Sequence, residues 1–314
     1  MALTRAQFLS SVAGAVALRA PRRSGPAVDQ ATTSRPSSPL ARMHTRPIPS
    51  TGIEIPVIGL GTWRGFDVGA DPNRRARLSG VLRALFEAGG RVIDSSPMYG
   101  SSEEVAGDLL AAGGYHERAF VATKVWTEGR AEGIAQMDAS MRKLRDTRIE
   151  LMQVHNLVDW RTHLDTLRGW KREGRIQHLG ITHYRDDAHD ELEAVLRSER
   201  VDSVQLNYAV DNRAAEQRLL PLAADRGVAV LVNLPFGGGG LLTRVASRPL
   251  PAWAGEIGCR TWAQVLLKFV VAHPAVTCAI PGTSRDEHMR DNAQAGTGVL
   301  PDAAMRRRIV DALR

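Results

Sequence analysis

An aspartate, a tyrosine, a lysine and a histidine stand at the ends of apolar runs in three separate parts of this 314-residue chain. They are Asp94, which closes the run Val92-Ile93-Asp94, Tyr99 five residues later in SPMYG, Lys124 in FVATKVW and His155 in LMQVHN. An ammonium group beside a phenol stabilises phenolate and lowers the tyrosine pKa. An acid beside the lysine holds that ammonium charged and oriented, and an imidazole can donate to a carbonyl oxygen. Brought together, the four could deliver a proton to a reacting oxygen. Each also has a plainer use: Asp94 bonding turn amides, Tyr99 capping a core edge, His155 sitting satisfied in a strand. Lys124 argues for chemistry, because the chain holds four lysines against 37 arginines, and a surface cation here would ordinarily be arginine.

These residues can meet only if the fold gathers the ends of distant apolar runs. From residue 50 onward, short apolar segments alternate with amphipathic ones. The expected strands are 57–60, 91–94, 120–124, 150–155, 178–181, 202–206, 228–232 and 277–280. Leu78, Val81, Leu82, Leu85 and Phe86 recur at helical spacing, as do Ile134, Met137, Met141 and Leu144, and then Leu164, Leu167 and Trp170. Pro72 suits a first helical turn, Gly89 and Gly90 a stop, and Ser101 with Glu104 a capping box. Eight strands apolar on both faces, mostly followed by helices, predict an α/β fold: a single-domain (β/α)8 TIM barrel over residues 47–314. Its mouth, at the C-terminal strand ends, collects Asp94, Lys124, His155, Thr182, Gln205 and Asn233. An open nucleotide-binding sheet is the weaker option. Gly59, Gly61 and Gly65 fall as GxGxxxG, and no helix opens at the third glycine.

From about Ile53 to Ala295 the chain resembles the aldo-keto reductases, barrel enzymes that bind NAD(P)H across the mouth. The run from Asp94 through Tyr99 to Gly100 is similar to the family's DxAxxYG, FVATKVW to its lysine strand and LMQVHN to its histidine strand, in the family's order. The resemblance implies NAD(P)H-dependent reduction of aldehydes or ketones to alcohols. Tyr99 is then the general acid, Lys124 and Asp94 tune it, and His155 orients the carbonyl. GITHY stands where the family has a GxSN-like run, so Thr182 and His183, with Gln205, fall on the nicotinamide carboxamide, His183 replacing asparagine. Asn233 replaces the aromatic on which the ring commonly stacks. Gly237 and Gly239 lie in the glycine run expected at the pyrophosphate. In IPGTSRDEHMRDN, the implied adenosine grip is Thr283, Ser284, Arg285, His288 and Asn292, with NADP(H) favoured over NAD(H). Trp63, Trp126 and Trp160 follow strand ends, where they would wall a substrate pocket or pack under loops. An alternative is a nucleotide-binding barrel serving as a redox sensor or auxiliary subunit, consistent with the changes at His183 and Asn233. A lyase or isomerase on an unrelated barrel would need a phosphate or metal site that the motifs do not supply.

Composition narrows the classes further. With 43% hydrophobic and 24% charged residues, the chain can build a full core. The net charge of +7 is uneven: residues 1–46 hold seven arginines and one acid, Asp29, leaving +1 for the remainder. The expected barrel therefore has no overall basic bias toward nucleic acid. Cys259 and Cys278 lack zinc-like spacing and read as buried free thiols. There is no HExxH or GxxxxGK motif, and His178 and His183 should diverge across a strand end, so no metal site is expected. Phe8–Leu18 is an 11-residue apolar run, too short to span a bilayer and suited to an export signal. TRAQFL resembles a twin-arginine element with Ala6 at the second arginine. Residues 1–46 are thus expected to be an export-signal-like segment and a flexible, disordered linker preceding a periplasmic or exported protein. A disordered cytoplasmic tail is the alternative, and no stable membrane insertion of the mature protein is expected.

Overall fold

Successive residues of a strand face opposite sides, and here that alternation sorts side chains between a barrel interior and a surrounding helix layer. The computed structural model describes residues 42–314. The proposed export signal and nearly all of the expected linker lie outside the described residues. Strands β3 (Leu60–Gly61), β4 (Val92–Asp94), β5 (Phe120–Val125), β6 (Ile149–Val154), β7 (Ile176–His183), β8 (Ser203–Asn207), β9 (Ala229–Asn233) and β10 (Cys278–Ala279) form one parallel sheet in chain order. Parallel bridges from Ile58 to Ala279 and from Gly61 to Gly282 join the first barrel strand to the last. The result is a nearly closed single-domain (β/α)8 barrel, as the alternation predicts. Its first and last strands are shorter than expected. The 57–60 run contributes an isolated bridge at Ile58 before the ladder begins at Leu60.

The helices are α1 (Pro72–Glu87), α2 (Ser102–Gly113), α3 (Arg130–Leu144), α4 (Trp160–Arg172), α5 (His189–Ser198), α6 (Leu219–Asp225), α7 (Gly240–Val245), α8 (Trp262–Val271), α9 (Asp286–Gln294) and α10 (Ala303–Asp311). Among the described residues, no helix is long and apolar enough to cross a membrane. The expected stripes are buried: Leu78, Val81, Leu82 and Leu85 on α1, Met137 and Leu144 on α3, Leu164 and Leu167 on α4. They meet the outward strand residues Ile93, Val121, Met152, Ile181 and Val204 in one continuous core. Pro72 opens α1, with the Asp71 carboxylate accepting from the amides of Asn73 and Arg74. The expected capping box at Ser101 does not form. Its hydroxyl instead donates to Asp67 Oδ1 (2.9 Å) and accepts from the Gly69 amide, fastening the loop after β3 to the loop that carries Tyr99.

A second cluster fills the barrel floor: Val92, Phe120, Ala122, Leu151, Ala229, Leu231, Cys278 and Ile280, together with Ile48 and Ile55. The last two belong to an antiparallel hairpin, β1 (Thr45–Ile48) and β2 (Ile53–Pro56), inside and just beyond the stretch read as linker. Arg46, counted with the basic tail, donates to the carbonyls of Val271, His273 and Val276 and ties the hairpin to the end of α8 and the chain that follows it. The expectation of a flexible linker up to residue 46 is therefore corrected at its end, because apolar burial and this arginine anchor the segment from Thr45. Both cysteines are free and buried, as expected. His178 is also accounted for in the floor: its Nδ1 bonds the Glu150 carbonyl (2.8 Å) and its Nε2 pairs with Thr51 Oγ1 (2.9 Å). Ile55→Ala should lower the unfolding free energy by about 2–5 kcal/mol while sparing the mouth. Urea titration checks this; unchanged stability would mean that the hairpin is not part of the cooperative core.

Candidate active site

Moving up the strands two residues at a time, the interior changes from apolar to polar. Val92 is followed by Asp94, Ala122 by Lys124, Leu151 by Gln153, Leu231 by Asn233. Lys124 and Asp94 form a buried ion pair, Nζ to Oδ2 at 2.6 Å, with the two side chains only 0% and 2% exposed. The ammonium also donates to the Ser95 carbonyl at 2.6 Å. The second carboxylate oxygen accepts from Gln205 Nε2 (2.8 Å) and Gln153 Nε2 (3.2 Å). Gly180 leaves room for this network, since a Cβ there would lie 2.2 Å from Ser203 Oγ and 3.2 Å from Gln153 Cγ.

Tyr99 lies half-buried in the loop between β4 and α2, its ring centroid 5.3 Å from Lys124 Nζ. Its phenol behaves differently from the expectation: desolvation raises its pKa, Lys124 pulls it down, and the Asp94 carboxylate pushes it up again, with a net rise. Lys124 loses ammonium stability to burial, but Asp94 and Tyr99 outweigh that loss and raise its pKa. His155, buried immediately after β6, meets Tyr99 edge-on, with centroids 5.8 Å apart and planes at 86°. Burial, then the Lys124 charge, then His183 push its pKa from 6.5 to about 2, so its ring is neutral at ordinary pH. The four residues thus converge on one mouth.

Other expected residues divide into two groups. Thr182 accepts from the Asn156 amide at 3.4 Å, and the Arg185 backbone N–H donates to His183 Nδ1 at 3.2 Å. That bond leaves neutral His183 carrying its proton on Nε2, so it can replace an asparagine donor. Gln205 is turned toward Asp94 instead, with its amide nitrogen committed there. The Oδ1 atoms of Asn233 and Asn156 are buried without a hydrogen-bond partner. Gly237, Gly238 and Gly239 have φ of 58°, 66° and 98°, a left-handed run that favours glycine and leaves the backbone bare. Thr283 Oγ1 accepts from the Arg285 amide (3.1 Å), Ser284, Arg285 and His288 are exposed, and Asn292 is buried. Unmet acceptors, bare glycine backbone and an exposed arginine are groups that a dinucleotide could use.

Trp63 and Trp126 are 49% and 41% exposed. Trp160, at the start of α4, packs instead against the helix-layer core. Met98 and Tyr184 are exposed too, in the loops after β4 and β7, and were not singled out from sequence. Gln153 and Ser96 were also missed, although Gln153 shares the period-two face of Leu151 and His155.

The sequence matches the aldo/keto reductase family across residues 57–311. It is 28% identical over 255 residues to methylglyoxal reductase YeaE of Escherichia coli, covering 78% of this chain and 86% of that protein. It is 27% identical over 206 residues to aldo-keto reductase YhdN of Bacillus subtilis, covering 60% and 61% respectively. Among solved structures, an aldo/keto reductase from Klebsiella pneumoniae in complex with NADP and acetate superposes with a TM-score of 0.69 at 25% identity, covering 83% of this chain and 93% of that one. The holo form of AKR11C1 from Bacillus halodurans shares the fold, with a TM-score of 0.71 at 22% identity and coverage of 87% and 96%. With its family match spanning most of the chain and its barrel shared with solved members, the chain belongs to the aldo/keto reductase family.

Proposed function

We propose that this protein reduces aldehydes or ketones to alcohols, with NADP(H) as the cofactor and Tyr99 as the proton donor. The observation that carries this reading is the convergence of Tyr99, buried Lys124–Asp94 and neutral His155 at one barrel mouth. When bound, the reduced nicotinamide supplies a hydride to a carbonyl carbon. His183, Thr182 and Asn233 would hold its carboxamide end, the glycine run its pyrophosphate, and Thr283, Ser284 and Arg285 its ribose phosphate. Raised by burial, the Tyr99 pKa keeps the phenol protonated at rest. As the substrate oxygen gains negative charge, Tyr99 gives it a proton, and Lys124 stabilises the phenolate left behind. His155, uncharged, donates one N–H to the same oxygen and leaves Lys124 as the cation beside the phenol. The exposed rings of Trp63, Trp126 and Tyr184, with Met98, favour carbonyl compounds with an apolar portion.

The test is NADPH and NADH oxidation with a panel of aldehydes and ketones, including methylglyoxal. Tyr99→Phe should lower kcat by about 10²–10⁴-fold with NADPH binding retained. Turnover unaffected by that change sinks the mechanism, and tight cofactor binding without turnover on any carbonyl favours a redox sensor. The residues ahead of the hairpin, 1–44, we assign to export, from the Phe8–Leu18 run and the twin-arginine-like TRAQFL. Fused to a folded reporter in a bacterial host, they should deliver it to the periplasm, and a reporter retained in the cytoplasm defeats the assignment.

Neutral His155 also leaves a signature in stability. Its folded pKa lies below the unfolded value of 6.5, so the unfolded chain takes up a proton that the folded protein refuses. The associated stability is present above pH 6.5 and is lost as pH falls toward the folded value. Relative to His155→Gln, the wild type should lose about 1.4 kcal/mol of unfolding free energy per pH unit below about 6. Urea titrations at several pH values measure this, and parallel pH profiles for the two proteins would show that His155 titrates normally.

A further inference from the structure

Ser96 occupies the alanine place of the DxAxxYG pattern, so it carries a hydroxyl that the pattern does not call for. Its side chain is fully buried, with no solvent to satisfy it. Oγ lies 2.9 Å from His155 Nδ1 and accepts from the Met98 amide at 3.4 Å. A hydroxyl has one proton to donate. Among the described residues Ser96 Oγ has no acceptor other than His155 Nδ1, so that proton goes to the imidazole lone pair. A neutral imidazole that accepts at Nδ1 must carry its own proton on Nε2. Nε2 has no hydrogen-bond partner among the described residues and is not sealed from solvent.

We propose that Ser96 is a positioning residue that locks His155 as the Nε2–H tautomer, so that the ring presents a donor to the mouth. The reverse tautomer would place the donor against Ser96 and leave a lone pair facing a carbonyl oxygen, which repels it. The Ser96 carbonyl also accepts from the Tyr99 amide at 3.0 Å. One residue therefore fixes the relation between the imidazole and the loop bearing the phenol. The tautomer follows from hydrogen-bond geometry alone, whereas its effect on turnover rests on the role proposed above for His155.

Long-range proton–nitrogen spectra of the full-length protein labelled with 15N-histidine test this, His155→Gln identifying the resonance. Between about pH 6 and 8, Nδ1 should appear as the unprotonated nitrogen and Nε2 as the protonated one. In Ser96→Ala the pattern should shift toward Nδ1–H or a mixture, and kcat for the best carbonyl substrate should fall about tenfold with KM changed less. A wild-type protein with its proton on Nδ1, or a Ser96→Ala variant that keeps pure Nε2–H, overturns the proposal. A changed tautomer with unchanged kcat upholds Ser96 as the lock and removes His155 from the proposed mechanism instead. If Ser96→Ala does not fold, the wild-type spectrum decides by itself.

Discussion

Two opposite charges buried in the centre of the barrel constrain everything above them. Withdrawing an ammonium and a carboxylate from water costs several kcal/mol for each ion, and attraction alone returns this only when the remaining lone pairs and protons are also matched. Here the matching is extensive. Asp94 takes Lys124 on one oxygen and two glutamine amides on the other, while Lys124 shares its protons with the Ser95 carbonyl. Gln153 and Gln205 are therefore part of the pair's support, and Gln205 cannot turn its amide nitrogen to a cofactor without withdrawing it from the carboxylate.

The pair also divides the barrel vertically. Beneath it, the interior is apolar apart from His178, whose ring nitrogens are both paired, and Ile48 and Ile55 of the hairpin close it against water. Above it, the partly open mouth holds two groups that respond to the same cation in opposite ways. A positive charge favours phenolate at Tyr99 and disfavours imidazolium at His155. Burial overrides the first effect and reinforces the second. Both rings therefore remain neutral in the free protein, each with a proton suited to donation, and the full positive charge is kept one layer below.

The amino-acid pattern made the barrel, the helix stripes and the convergence of Asp94, Tyr99, Lys124 and His155 legible, because period and strand-end polarity are local signals. It was less informative where tertiary packing overrules composition. The hairpin holds three prolines in twelve residues and follows a Pro-, Ser- and Arg-rich stretch, so it resembles linker; only the barrel floor gives Ile48 and Ile55 a reason to be ordered. Ser101 was suited to a capping box, yet Asp67 from another loop captured its hydroxyl. Tyr99 was expected to have a lowered pKa because charge partners can be read from motifs, whereas the depth of burial cannot. Gln153 and Ser96 were overlooked for a similar reason: their partners are 59 residues away along the chain.

The two departures at the proposed cofactor end share a hydrogen-bonding logic. His183 receives the Arg185 amide on Nδ1 and so keeps a proton on Nε2, while Asn233 has an acceptor oxygen buried with nothing to accept from. A primary carboxamide presents one acceptor and two donors. Loss of an aromatic platform at Asn233 gives up stacking area, but an unpaired acceptor in that place gains most from a ligand that brings an N–H to it, since leaving it bare is itself unfavourable. In the proposed complex, therefore, the ring is held more by its carboxamide than by its face. Discrimination between a nicotinamide and another flat heterocycle then comes from matching donors and acceptors, because a ring without the amide would leave both His183 and Asn233 unsatisfied.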